Sequence, residues 1–323
     1  MPMLHVMERS QLSIETLPNE IVIQILGSFS TRSLLPLAAV CRRFHGLVGR
    51  VHYARLVRAS RMQDHEVILE CYHPSEKLSA PSLSCEYLGT DGLSEAADDA
   101  NLGVLHTLYA RFRPYLSYEN YRPRSRWQTG VQAGSALDPA TRMPSHEVSL
   151  ESGELFSQLC TGANLAKVGP RRGLFSSNAN VADGVIRVWR DWLQREAADT
   201  AARQQQQRAG SNLDDPSILW INSSKVVGLR FRVVEDESAP APILVGPDDE
   251  PPVSYSLEYQ ELFVRADWLL LSFENSEAQQ ATQAGSVYLT GSGGAPRQPC
   301  NAFLQYSIPS TPRFQTMFTA LVT

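Results

Sequence analysis

The stretch LPNEIVIQILGSFSTRSLLPLAAVCRRFHGLV, Leu17 to Val48, decides the fold. Ile21, Val22, Ile25, Leu26 and Phe29 fall three and four residues apart, the spacing that gathers side chains on one helix face. Pro18 suits a first turn, where the N–H it lacks would have no acceptor. Glu20 stands near the positive end of the helix dipole. Gly27 and the polar run STRS end the helix. Leu34, Leu37, Cys41, Phe44 and Val48 then recur at three, four, three and four. They predict a second helix capped by Ser33, with Pro36 in its first turn and Val40 and Leu47 widening the stripe. Arg42, Arg43 and His45 fall on the other side, the expected solvent face. Val51 to Arg61 is expected to be helical too.

Three such helices bury little surface, and a unit this small is marginal alone. Its apolar positions fill more than one stripe. Some of them must pack on the rest of the chain or meet a partner.

Leu17-Pro18-x-Glu20-Ile21, Ile25-Leu26, Phe29, Leu34-Leu35 and Val40-Cys41-Arg42-x-Phe44 with Leu47, taken together without an insertion, resemble the F-box. The resemblance implies a trihelical module over residues 14–61, preceded by a flexible N-terminus, 1–13. Such a module docks on a Skp-type adaptor, which in turn binds a cullin. The adaptor face is expected to include Leu17, Pro18, Ile25, Leu26, Leu35, Val40, Cys41 and Phe44. Leu17, Pro18 and Leu35 lie off the two main stripes and are expected to face outward. Ile21, Leu37 and Val48 are expected inside. Cys41 has no second thiol or imidazole at ligand spacing and reads as a small hydrophobe. The STRS turn lacks the acidic residue often found before the second helix in this family, which removes one candidate charge contact with the adaptor.

The chain has 323 residues, 43% hydrophobic and 20% charged, with a formal charge of −5. That composition is globular. An acidic balance argues against nucleic-acid binding through a general basic field. No apolar run reaches the ~20 residues of a membrane span, so no membrane partner is expected. The five cysteines are far apart and odd in number, which argues for reduced thiols and an intracellular address, cytoplasm or nucleus.

Residues 62–323 are expected to form a β-rich domain, an antiparallel sandwich or barrel with helical insertions, giving an α+β multidomain chain. HEVILECY, SLSCEYL, VLHTLYARF, SILWI and VVGLRFRVVE read as strands. VSYSLEYQELFVRADWLLLSFE reads as two strands turning near Arg265-Ala266-Asp267. GSVYLTG and NAFLQYSI add two short ones. Ser152 to Cys160 is expected to hold one or two helical turns. Val185 to Gly210 is expected to be a helix, although VIRVW also suits a strand. Long loops are expected near 113–146, 235–252 and 275–300.

No GxSxG, HExxH, GxGxxG or phosphate-cradling loop followed by Lys-Ser or Lys-Thr occurs. TGSGGAP reads as a loop. Cys71-Tyr72-His73 is too isolated for zinc, and no cofactor is expected. Arg171 and Arg172, in GPRRG, could grip a phosphate or an acidic tail, although a basic surface turn is the plainer reading. Among Trp127, Trp189, Trp192, Trp220 and Trp268 most are expected in the core, where aromatic burial counts most. The resemblance therefore implies a non-catalytic substrate receptor of an SCF-type ubiquitin ligase, joining the adaptor to a target protein. The alternatives are an enzyme or glycan-binding module with an F-box-like cap, and an F-box protein that binds the adaptor without ligase activity.

Overall fold

The computed structural model describes residues 14–77, 80–93, 101–117, 143–169, 174–203, 213, 215–236, 251–282 and 288–289. The expected N-terminal tail, most of the first long loop with Trp127, the GPRRG arginines Arg171 and Arg172, the TGSGGAP loop and the NAFLQYSI strand lie outside them. So does most of the acidic connection near 235–252. The chain divides into two compact units. Residues 14–57 and 101–105 belong to the first; the other described residues belong to the second.

The first unit contains α1 (Asn19–Gly27), α2 (Thr31–Leu34), a 3₁₀ turn (Leu35–Ala39) and the beginning of α3 (Arg42–Ser60). The second expected helix is thus broken in two, and its C-terminal half is continuous with the third. Pro36 explains the break, because it has no N–H to continue the α-helical ladder. The chain tightens there, and Val40 N donates to Leu37 O instead. Ser30 rather than Ser33 caps α2, its hydroxyl accepting from Ser33 N. A short helix, α4 (Leu102–Leu105), also lies in this unit, and Leu102 packs on the helical core.

The second unit is one antiparallel sheet, with ten strands among the described residues. They are β1 (His65–Tyr72), β2 (Leu83–Thr90), β3 (Tyr109–Tyr115), β4 (Ser145–Leu150), β5 (Phe156–Val168), β6 (Leu174–Trp189), β7 (Ile218–Trp220), β8 (Val227–Glu235), β9 (Val253–Arg265) and β10 (Tyr288–Leu289). The order is β10-β6-β5-β1-β2-β3-β9-β8-β7, with β4 beside the first half of β9. Two helices follow strands: α5 (Arg190–Arg203) continues from β6 and α6 (Ala266–Thr282) from β9. Yet α5 packs on β8, and α6 packs on β6 and β5. Helices leaving one side of a sheet reach strands of the other only if the sheet curls. Register shifts at Tyr87/Gly89, Ala163/Asn164 and Arg230/Phe231 supply bends, as an extra residue on one strand increases local twist. The curl brings Ile221, just past β7, against Gly184 of β6, where no side chain would fit.

Three expectations are corrected in this unit. Phe156 to Cys160 is strand, not helix, and pairs with Val185 to Trp189. That pairing makes VIRVW the end of β6, so the expected helix begins only at Arg190. Trp268 to Phe273 is helix rather than strand, and that helix runs on to Thr282, through the first part of the loop expected from 275. In each case a short apolar run suited both conformations, and the neighbouring chain decided between them. The segment VLHTLYARF is likewise split, its beginning belonging to α4 and its end to β3.

Candidate partner-docking surface

On α1, Val22 and Leu26 are one turn apart and point inward, 1% and 2% exposed. Ile21 and Ile25, one residue earlier in each turn, are 42% and 40% exposed. A step of one residue turns a helix by about 100°, so a sequence stripe that looked single is two stripes on different faces. Pro18, Ile21, Ile25 and Phe29 are all exposed, spaced three, four and four apart. They line the outer side of α1 as one apolar row.

The inner row closes a core with Leu34, Ala38, Leu47, Val48 and Val51. Leu17, Leu37 and Phe44 pack on it while half-buried. Ile21 is therefore not internal core, contrary to expectation, whereas Val48 is fully buried. Leu26 belongs to the core and has almost no surface to offer. Leu17 and Leu35 are half-buried, and Pro18 is exposed. Val40, just past the 3₁₀ turn, is 66% exposed, and Cys41 beside it is an exposed free thiol. The Cys41 sulfur lies 3.5 Å from Phe44 N and accepts from it, in the place of an N-cap side chain for α3.

Two arginines that sequence patterning missed hold this face in shape. Arg43 was expected on the solvent side. Instead its Nε donates to Asn19 Oδ1 at 2.9 Å and its Nη1 to Glu15 O at 2.7 Å, while Nη2 donates to Leu17 O. Arg55 donates to Thr31 Oγ1 at 2.9 Å and to Gly27 O at 3.0 Å, and also to Phe29 O. The two guanidinium groups stand twelve residues apart on α3, about 18 Å of helix. Arg43 grips the start of α1 and Arg55 its end, so the two helices run in the same direction. At the end of α1, Arg55 also meets carbonyls left without helical partners, where a cation is favourable. The only sequence signal for this was two arginines with the same separation along the chain as their acceptors Asn19 and Thr31.

His52, on the inner side of α3, is 2% exposed, and its Nδ1 has no hydrogen-bond partner. Desolvation, and next the nearby charge of Arg55, lower its pKa to about 4. It is a neutral core histidine.

Elsewhere, Trp192 is buried, Trp220 half-buried, and Trp189 and Trp268 exposed. Cys71 is buried against Thr161 Oγ1, and burial raises its thiol pKa. Among the described residues no cluster of three or more His, Cys, Asp or Glu is placed to hold a metal ion. No helix among them is long and apolar enough to cross a membrane.

Residues 14–59 match the family model of the F-box-like domain. The chain carries that domain at its N-terminal end, and no other family is recognised in the C-terminal part. No curated protein matches the chain, and no solved structure does either. F-box-like domains generally bind Skp-type adaptors, are typically non-catalytic, and generally mark substrate receptors of SCF-type ubiquitin ligases.

Proposed function

We propose that this chain is the substrate-receptor subunit of an SCF-type ubiquitin ligase. Its helical unit docks on a Skp-type adaptor and through it joins a cullin. The curled-sheet unit holds a target protein, which is ubiquitinated by other subunits and then degraded. The chain itself performs no chemistry; it raises the effective concentration of the target at the transfer site.

One observation carries the reading. The helical unit already has a closed core of its own, yet it leaves Pro18, Ile21, Ile25, Phe29 and Val40 exposed as well. Apolar surface on that scale on so small a unit marks an interaction site. An interface of ordinary size covers ~800 Å² per partner. The proposed adaptor face is therefore centred on Pro18, Ile21, Ile25, Phe29, Val40 and Cys41, with Leu17, Leu35 and Phe44 at half-buried positions beside it. Leu26 supports it from within. The proposed address is intracellular, where the free thiols of Cys41, Cys71, Cys85 and Cys160 stay reduced.

The test is co-purification with a Skp-type adaptor, for the wild type and for Pro18→Ala and Ile25→Ala. Truncating an interface anchor costs ~1–4 kcal/mol, roughly ten- to a thousand-fold in affinity. Equal recovery of all three would remove the docking assignment. Reconstitution with a cullin and a ubiquitin-conjugating enzyme then tests the ligase role. A complex that forms but never recruits a cullin would leave adaptor binding without ligase activity.

A further inference from the structure

The outer face of β5 and β6 carries a surface that folding alone does not require. Along the end of this hairpin, Phe156 pairs with Trp189, Gln158 with Arg187 and Cys160 with Val185. Alternation turns Ile186 and Val188 into the core and leaves Val185, Arg187 and Trp189 exposed. The loop after β7 rises beside this face. Together they form a groove of about 490 Å³, open to solvent, lined by Gln158, Val185, Arg187, Trp220, Asn222 and Ser223, with Ile221 at its base. Every one of these residues belongs to the curled-sheet unit.

The chemistry of the lining is one-sided. None of the lining residues is acidic, in a chain whose formal charge is −5. Asp183, two positions from Val185 on the same face, lies outside the lining. Arg187 makes no hydrogen bond or ion pair among the described residues; its guanidinium sits 5.5 Å from the centre of the Phe156 ring. Stacking on an aromatic ring fixes the plane of the group while leaving its N–H fork free. Gln158 stands opposite it in the strand register. Asn222 has its oxygen engaged by Val226 N, so it offers its amide N–H groups. Ser223 adds a hydroxyl. Trp220 is itself held edge-on by Tyr109 at 5.5 Å, with the Lys225 ammonium 5.6 Å from its ring centre. The result is a row of donors and cationic charge over aromatic walls, flanked by the exposed rings and aliphatic chains of Trp189 and Val185.

We infer that this groove is the target seat, and that it takes an extended protein segment carrying Asp or Glu beside an apolar side chain. Arg187 grips the carboxylate through a bidentate pair, as planar guanidinium forks do. Gln158, Asn222 and Ser223 supply further donors, and Trp220 and Val185 pack the apolar neighbour. This identification rests on the receptor reading and adds a location and a substrate class to it.

The experiment uses the full chain on an array of random octapeptides, each position fixed in turn to each amino acid, with phosphoserine included as a separate series. The wild type should enrich Asp and Glu next to apolar residues, and the enrichment should weaken with added salt. Arg187→Glu should lower it at least about tenfold, the loss of a charge-assisted pair. Gln158→Glu should lower it as well, while Arg187→Lys keeps part of it. Both positions lie on the outer face, and unchanged thermal melting of the variants establishes that they fold. The inference is overturned by no acidic enrichment, by enrichment that survives Arg187→Glu, or by binding confined to phosphoserine peptides. Adaptor capture is measured in parallel. Failure of the array with adaptor capture intact sinks the groove and leaves the receptor reading. Failure of adaptor capture with acidic enrichment intact does the reverse.

Discussion

Gln279 of α6 exchanges two hydrogen bonds with the backbone of Asn178 on β6, donating to its carbonyl and accepting from its N–H at 3.1 Å each way. A side-chain amide here does what a neighbouring strand would do. Ser272 adds a bond to Asn180 O at 3.3 Å. The helix thus caps a sheet edge that would otherwise invite pairing with another chain. Gln279→Ala should cost only about 1 kcal/mol in denaturant unfolding, the worth of ordinary hydrogen bonds. Its larger effect should be on association, seen as light scattering at a lower temperature than the wild type. Unchanged scattering would show that the edge is protected by other means.

The two rows of α1 should separate stability from binding. Leu26→Ala empties a core position and should destabilise the helical unit by about 2–5 kcal/mol. Ile21→Ala removes a side chain already 42% exposed and should stay within about 0.5 kcal/mol of wild type. Adaptor affinity should fall for Ile21→Ala without any loss of helical circular dichroism. If the stability ranking is reversed, the assignment of inner and outer rows is wrong.

Helical-unit stability should depend on pH through His52. Its folded pKa, about 4, lies below its ordinary value of 6.5, so the fold favours the neutral ring. The contribution is complete above pH 6.5 and is lost as pH falls from there to about 4. A depression of that size corresponds to about 3 kcal/mol. His52→Leu should flatten this slope, as followed by urea unfolding of the helical signal at pH 7, 5.5 and 4. The same slope in the variant would assign it to other groups.

Gly184 is required by close approach. A Cβ there would meet a methyl of the Ile221 side chain and lie 3.2 Å from its carbonyl oxygen. Gly184→Ala should therefore cost about 1–3 kcal/mol, the usual range for overpacking, and lower the melting temperature of the curled-sheet unit. In combination with Ile221→Ala the two losses should be less than additive, because the second removes what the first strikes. Full additivity would mean that the sheet does not close at this point.

Periodicity was enough to place a short helical unit at the front of the chain, ahead of a β-rich remainder, and the resemblance of its motif to the F-box supplied the family. Those signals are local: a few residues' spacing, a missing N–H, alternation along a strand. The sequence also determined that apolar residues outnumber what three helices can bury. It did not separate Ile21 from Val22, since one stripe of adjacent apolar residues reads alike whichever side the core takes. That choice depended on where α3 lies, and α3 is positioned by Arg43 and Arg55 reaching carbonyls more than twenty residues earlier. Tertiary pairing also made VIRVW a strand, because Phe156 to Cys160 was there to take its hydrogen bonds. Packing against β6 and β5 made Trp268 to Phe273 a helix instead. The groove beside Arg187 exists only because the sheet curls until Ile221 meets Gly184. No spacing along the chain encodes that meeting of residues 37 positions apart; it follows from bends accumulated across the whole sheet.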